Sequence, residues 1–326
     1  MGSTFYLARR DFLAVLAAFA MGVPPRAWAQ QTYRLGVLSG RGRGEPNFLA
    51  FFDELSHFGV VEGEHLAVDP RGFESSEDRF ALVAKELVTS GINAVLAAGD
   101  AAIAAAQSAS RTVPILGISD DMVGAGLVRS LTRPGSNVTG VSILSTELNS
   151  KRLEILAEAF KDARRIAVLA DPRITTPMHV KMLRDVARPR NLDLMLYEAS
   201  TSEQIIPAVD AASKAGAQAM NVLASPLFSF NSRRITDRML EVRLPAIFQW
   251  PEIAEEGGLL AYGPRITRVY RQMAAQLVKL MHGSKPEELP IEQPTVFEFV
   301  ANLKTASTMG ITLPHSLLTR TDVVIE

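Results

Sequence analysis

Short runs that are apolar throughout alternate along this chain with segments whose apolar residues recur every three or four positions. The first run is Tyr33 to Leu38, and Phe48, Phe51, Phe52, Leu55 and Phe58 then fall at helical spacing. His65 to Asp69 reads as a second strand. Phe80, Val83, Ala84, Leu87 and Val88 mark a second amphipathic helix. Ala94 to Ala98 is a third strand, an alanine-rich helix begins at Ala101, and Pro114 to Ile118 is a fourth strand. The rhythm then restarts with Ile166 to Ala170, Leu192 to Tyr197, Ala219 to Leu223 and Pro245 to Phe248, with helical patterns such as Leu153, Leu156, Ala157 and Phe160 before and between them. Strands without polar alternation, spaced about 25–30 residues apart with helices between, belong to parallel sheets covered on both faces. Two such series predict an α/β protein of two doubly wound lobes.

The connections are less regular. Asn137 to Ile143 reads as an extended crossing between the lobes. The stretch from Gly257 to Pro264 ends the last strand–helix pattern, and a long helix follows from about Ile266 to Met281. Lys285 to Pro290 is a turn. Thr295 to Val300 alternates as a strand does, and Asp322 to Ile325 is placed at a sheet edge.

Composition narrows the class. The chain has 326 residues, 47% hydrophobic and 21% charged, which is globular. A net charge of −1 argues against a nucleic-acid surface. The absence of cysteine excludes disulfides, thiolate metal sites and cysteine nucleophiles. The N-terminus is an address. Arg9-Arg10-Asp11-Phe12-Leu13 is a twin-arginine pair before an apolar segment of 12 residues, Phe12 to Val23, too short to span a bilayer comfortably. Ala27-Trp28-Ala29 then offers small residues for signal peptidase. Residues 1–29 read as a signal peptide of the twin-arginine type, and the mature chain as periplasmic. A retained membrane anchor is the competing reading.

The glycine-rich loops hold little chemistry. Gly124-Ala125-Gly126-Leu127-Val128-Arg129 matches only the first two glycines of a dinucleotide fingerprint, and it follows the fourth strand rather than the first. Gly40-Arg41-Gly42-Arg43-Gly44 is also incomplete, and reads as a surface loop or as a pocket lip whose arginines meet a ligand carboxylate. The histidines His57, His65, His179, His282 and His315 form no zinc motif. Neither Gly36-Val37-Leu38-Ser39-Gly40 nor Gly140-Val141-Ser142-Ile143 makes a nucleophile elbow. No acid/base pair stands out, so the expectation is no catalysis, no metal and no cofactor.

The strand ends remain. Ligands of open parallel sheets bind beyond the carboxyl ends of the strands. Those ends are Ser39, Gly99-Asp100, Ser119-Asp120, Asp171-Pro172, Ser225-Pro226 and Gln249-Trp250. Each is also a plausible helix N-cap. Facing one another across two lobes they form a cleft, with Trp250 and Tyr262 as flat apolar walls.

These residues carry a resemblance. Asp121 to Val128, Arg133 to Gly140, Lys151 to Glu154, Arg243 to Ile247, Gly257-Gly258-Leu259 with Tyr262-Gly263-Pro264, and Pro290 to Lys304 resemble the solute-binding proteins of ABC transporters, in the family that includes tryptophan- and tyrosine-linked importers. The resemblance covers nearly all of residues 33–326. It implies a type I periplasmic binding fold, two lobes joined by three crossovers and no enzymatic activity. Residues 30–141 with about 263–289 then form one lobe, and 142–262 with about 290–326 the other, with the lobe that carries the C-terminal tail left open. The glycine turn at Gly124 and the turn at Arg133-Pro134-Gly135 become structural, and Ser142 falls near the cleft. The chain departs from the family's usual proline at Met122, its serine or threonine at Asp100, its asparagine at Asp171, and its basic–acidic pair at Trp250-Pro251. Asp100 and Asp171 suit an amine, Arg41 and Arg43 a carboxylate, and Trp250 an aromatic ring or cation.

The expected ligand contacts are therefore Ser39, Arg41, Gly99, Asp100, Ser119, Asp120, Ser142, Asp171, Ser225, Gln249, Trp250 and Tyr262. The expected function is capture of a small organic solute, an aromatic amino acid or aromatic carboxylate, for delivery to an ABC permease in the inner membrane by a monomeric protein that binds no nucleic acid. A ligand-presenting partner of a membrane sensor and an exported α/β hydrolase are the competing classes.

Overall fold

A computed structural model describes residues 32–326, so the signal-peptide reading of residues 1–29 lies outside the described residues. Five strands, β1 (Tyr33–Leu38), β2 (Leu66–Asp69), β3 (Ala94–Ala98), β4 (Ile115–Ser119) and β5 (Val138–Ser142), form a parallel sheet in the order β2-β1-β3-β4-β5. Seven more, β6 (Arg165–Ala170), β7 (Asp193–Glu198), β8 (Ala219–Val222), β9 (Ala246–Phe248), β10 (Leu260–Gly263), β11 (Glu298–Asn302) and β12 (Val323–Ile325), form a second sheet in the order β12-β11-β10-β9-β8-β6-β7. That sheet is parallel except where β11 runs antiparallel to β10.

The apolar runs are apolar because both faces of each sheet are covered. Every residue of β4 is buried, while the edge strand β7 is buried at none of its six positions. Helices α1 (Pro46–His57), α2 (Phe80–Thr89) and α3 (Asp100–Ala109) follow β1, β2 and β3. Phe80, Val83 and Leu87 of α2 and Ile103 of α3 fill one face of the first sheet. The other face takes Phe48 and Phe51 of α1.

Helices α4 (Ser145–Ala159), α5 (Pro177–Ala187), α6 (Ser202–Lys214), α7 (Pro226–Phe230), α8 (Ser232–Glu241) and α9 (Pro251–Glu255) belong with the second series. Leu153 and Leu156 of α4 and Leu183 of α5 cover one face of that sheet. Ile205 and Val209 of α6 and Ile235 and Met239 of α8 join the cluster that covers the other. The helix that follows β10, α10 (Ile266–Met281), returns to the first sheet. Its Tyr270 meets Phe48 edge-on at 5.2 Å. Two short helices, α11 (Leu303–Met309) and α12 (His315–Leu318), lead to β12. No helix among the described residues is long and apolar enough to cross a membrane.

The chain passes three times between the sheets, after β5, after β10 and before β11. At the first passage Leu144 takes the left-handed conformation, φ 62°, which costs a branched side chain on the order of 1 kcal/mol and turns strand into helix within two residues. At the third, Glu292 runs beside β5: its amide donates to the Gly140 carbonyl at 2.9 Å, and the Ser142 amide donates to the Glu292 carbonyl at 2.9 Å.

Two segments differ from the pattern reading. Asn137 to Ile143 is not merely a crossing, because Val138–Ser142 hydrogen-bonds along the whole of β4. The stretch Gly257–Pro264, read as an ending, contains β10 near the middle of the second sheet. Crowding requires glycine at Gly258 and Gly263, since a Cβ on Gly263 would lie 2.0 Å from the Gln249 carbonyl oxygen and one on Gly258 2.9 Å from that of Ile253.

Gly140 is the sharpest case of such crowding. It has φ 135°, and a Cβ there would stand 1.9 Å from the carbonyl oxygen of Gly117 on β4. Gly140→Ala is expected to lower stability by roughly 2–4 kcal/mol, from strain plus loss of the β4–β5 register. A denaturant titration checks it, and a midpoint within error of the parent would contradict this account of the β4–β5 junction.

Candidate binding cleft

Because β1, β3 and β4 run parallel, as do β6, β8 and β9, their carboxyl ends open toward a common gap. Ser39, Gly99, Ser119 and Asp120 reach it from the first sheet, and Ser225, Gln249 and Trp250 from the second. These residues line a cavity of about 140 Å³. Their local roles explain their types. Ser39 Oγ accepts from the Arg41 amide at 3.0 Å, and Ser225 Oγ caps α7 by accepting from the Leu227 amide at 3.1 Å. Ser119 Oγ accepts from the Asp121 amide at 3.2 Å and donates to Asp100 Oδ1 at 2.5 Å. Each hydroxyl is thus a turn-former that also faces the cavity.

The walls are mostly apolar. Ile118 and Ile143 line one side and Phe230, Trp250 and Ile253 another. The Trp250 indole Nε1 donates to Ser229 Oγ at 2.9 Å, which fixes the ring. Tyr270 closes the α10 side, braced by Asn47 of α1. Burial pushes its phenol up to about 12, with the Asn47 hydrogen bond and the Arg41 charge opposing.

The two lobes touch around this space. Gln249 Nε2 donates to Asp120 Oδ1 at 2.8 Å. Arg41 Nη2 donates to the Ser229 carbonyl at 2.6 Å, Nη1 pairs with Glu45 at 3.0 Å, and the guanidinium lies 5.3 Å from the centre of the Phe230 ring. Arg173 beyond β6 pairs with Glu77 of the first lobe at 2.5 Å. The cleft is closed.

Four expected contacts lie elsewhere. Asp100 and Asp171 face a second space of about 490 Å³, which shares Asp120 and Pro226 with the first. Asp171 is neutralised by Arg173 at 2.7 Å and accepts from Ser225 Oγ at 2.9 Å, so its charge is spent within the protein. Ser142 Oγ accepts from the Met122 amide at 3.2 Å and pins the loop after β4. The Tyr262 ring packs against Phe297 at 6.3 Å, and its carbonyl accepts from Arg152. Arg43 is drawn off to Glu62 and the Phe52 ring. The glycine loop is a packing device: Met122, Leu127 and Val128 sit in the first lobe's core, and Asp121 accepts from the Gly124 amide at 2.8 Å.

Several lining residues carry no strand-end signal. Glu45 and Asn47 start α1, Glu252 lies in α9, and Tyr270 is on α10. Beneath the cleft is Arg152, fully buried, donating to the Tyr262 carbonyl at 2.9 Å and to Asn149. Burial lowers its guanidinium to about 10, against the attraction of Asp120 and Tyr262. An arginine at helical spacing looks like a surface residue, and nothing local marks it as buried.

The comparisons agree with this geometry. The family described as "ABC transporter substrate binding protein" matches residues 48–325. A "Tyrosine-binding protein" of Clostridioides difficile (strain R20291) is 22% identical over 265 residues, 80% of this chain and 75% of that protein. A conserved domain protein from Vibrio cholerae superposes with a TM-score of 0.81 at 22% identity, covering 90% of this chain and 100% of that one. An ABC domain from Streptococcus pneumonia in complex with L-Trp superposes with a TM-score of 0.80 at 22% identity and the same coverage. At these identities the structures establish the type I periplasmic binding fold.

Asp100, beside the cleft, gives the fold a pH signature. Burial, with the charges of Asp120 and Asp121, raises its carboxyl from 3.8 to about 6, against the Ser119 hydrogen bond. A carboxyl raised on folding favours the folded state below its unfolded pKa, and that contribution is lost as pH rises through the folded value. The shift corresponds to something on the order of 3 kcal/mol. Asp100→Asn should therefore match the parent near pH 4 and exceed it in stability by up to about 3 kcal/mol at pH 8. Thermal melts across that range test it, and a constant offset at all pH values would remove Asp100 as the source.

Proposed function

The chain belongs to the family of ABC transporter substrate binding proteins, and from that premise we propose that it captures a small aromatic solute between its lobes and delivers it to an ABC permease. The reading rests chiefly on one observation. A cavity walled by Trp250, Phe230 and Tyr270 is closed by residues of both lobes, Arg41 and Asp120 on one side and Ser229 and Gln249 on the other. Its volume, about 140 Å³, suits one aromatic ring. For scale, an apolar cavity of about 150 Å³ holds benzene. Aromatic amino acids and aromatic carboxylates are the proposed ligands. Support comes from a tyrosine-binding relative and from a similar fold crystallised with L-Trp.

We take the first lobe to be residues 30–141 with about 263–289, which keeps α10 with the first sheet, and the second to be residues 142–262 with about 290–326, which keeps β11 and β12 with the second. Capture follows from hinge closure. A solute touching both lobes gains its full contacts only in the closed form, and that difference in affinity shifts the population. Moving the balance from mostly open to mostly closed takes about 5 kcal/mol. The solute leaves unaltered, and the protein works as a periplasmic monomer exported through the twin-arginine route.

Calorimetric titration with L-tryptophan, L-tyrosine, L-phenylalanine and their carboxylate-only analogues is expected to give saturable binding by at least one. Silence in every titration would overturn the proposed ligand class. Trp250→Ala is expected to weaken binding at least about tenfold while far-UV circular dichroism still reports a folded chain, since the cost is a ring contact beside a cavity that already exists. Unchanged affinity would exclude Trp250 from the site.

A further inference from the structure

Among the described residues that line the cavity, Glu252 carries a charge that is buried and that no ion pair meets. Both its carboxylate oxygens are buried and meet no donor in full hydrogen-bond geometry, with the amides of Glu252 itself and Thr267 lying close by, and the residue lines the aromatic cavity. A buried, unpaired carboxylate is costly, and such groups are ordinarily paired. The cation whose charge acts on it, Arg265 on the crossover after β10, is already committed. Its guanidinium holds Glu255 at 2.8 Å and Glu298 at 2.6 Å, and Glu298 also takes Arg268 at 3.2 Å. Arg41 lines the same cavity but is held by Glu45 and the Ser229 carbonyl. Glu256 adds a further negative charge to the lining and no donor.

We infer that Glu252 selects the solute by its amine: the occupant carries an ammonium that meets this carboxylate at the α9 end of the cavity. The inference rests on the proposed aromatic-solute reading and divides its two ligand classes, favouring aromatic amines and amino acids over plain aromatic carboxylates. An ammonium supplies three donors and a positive charge, so it serves both oxygens and the charge together. A hydroxyl serves one oxygen and leaves the charge. A carboxylate placed there adds repulsion.

The empty site should feel the strain. Burial, with the Glu255 charge, lifts the Glu252 carboxyl to about 6, against the attraction of Arg265 and the amides of Glu252 and Thr267. An ammonium that binds the ionised form therefore competes with a proton below about pH 6.

The test is a calorimetric comparison of L-tryptophan with indole-3-propionate, which keeps the ring and carboxylate and lacks the amine. At pH 7.5 the amino acid should bind at least about tenfold more tightly, the range of a charge-assisted hydrogen bond. In Glu252→Gln that ratio should shrink about tenfold or more. In the parent, affinity for L-tryptophan should fall up to about tenfold per pH unit below pH 6, while the solute's ammonium stays charged throughout. Glu252→Gln should lack that slope. Equal binding of the two probes by the parent overturns the inference and leaves the aromatic-solute reading standing, as does a parent profile flat from pH 5 to 7. A ratio undiminished in a folded Glu252→Gln overturns it too. Silence with both probes and with the other aromatic amino acids removes the aromatic-solute reading and the inference with it. The probe ratio and the pH slope of the parent need no variant, so poor folding of Glu252→Gln leaves the test decisive.

Discussion

Parallel winding places the strand-end polar groups of the cleft. A right-handed strand–helix–strand unit returns the chain to the same edge of the sheet each time, so the carboxyl ends of β1, β3 and β4 lie together, as do those of β6, β8 and β9. A chain leaving a buried strand there must turn at once into a helix. Turning requires small polar residues, and Ser39, Ser119 and Ser225 use their hydroxyls for that purpose. The same hydroxyls face the gap. The turn-forming residues are thus also cavity-lining residues.

Closing such a gap traps charge as well as apolar surface. Arg152 lies beneath it, Asp100 beside it and Glu252 within it, and burial moves each toward its neutral form. The three are compensated unequally. Arg152 has the Tyr262 carbonyl, Asn149 and the field of Asp120, while Asp100 has the Ser119 hydroxyl. Glu252 has the nearby amides of Glu252 and Thr267 and the field of Arg265, an arginine bound to other carboxylates. Against these costs stand the contacts that cross the cleft, Gln249 to Asp120, Arg41 to Ser229 and Arg173 to Glu77. Those at the rim are partly exposed and contribute little each.

Much of the cleft was legible before folding was considered. A small polar residue directly after an apolar run marked Ser39, Gly99, Ser119, Asp120, Ser225, Gln249 and Trp250, all of which line the cavity. The same rule overreached at Asp171, where Arg173 two positions on takes the carboxylate, and at Asp100, which turns to the outer space. Ser142, placed near the cleft by the family resemblance rather than by that rule, has its hydroxyl taken by the Met122 amide. Tyr262 was read as a wall on ring size alone, and it packs on Phe297 instead. The strand β10 was hidden because glycine and proline bracket it, signals that usually end a pattern and here permit close approach to Gln249.

By itself the sequence determined the two α/β series and the positions where each strand ends, because burial on both faces and tight turning leave period and composition signals within a few residues. Tertiary structure alone decided which of those ends share a cavity. It also brought Glu45, Asn47 and Tyr270 to the wall, buried Arg152 beneath the floor, and left Glu252 without an ion pair. Those outcomes depend on which distant residue arrives opposite, as Arg265 does for Glu255 and Glu298 but not for Glu252, and a charge meeting its neighbour across the fold leaves no mark on the residues beside it in the chain.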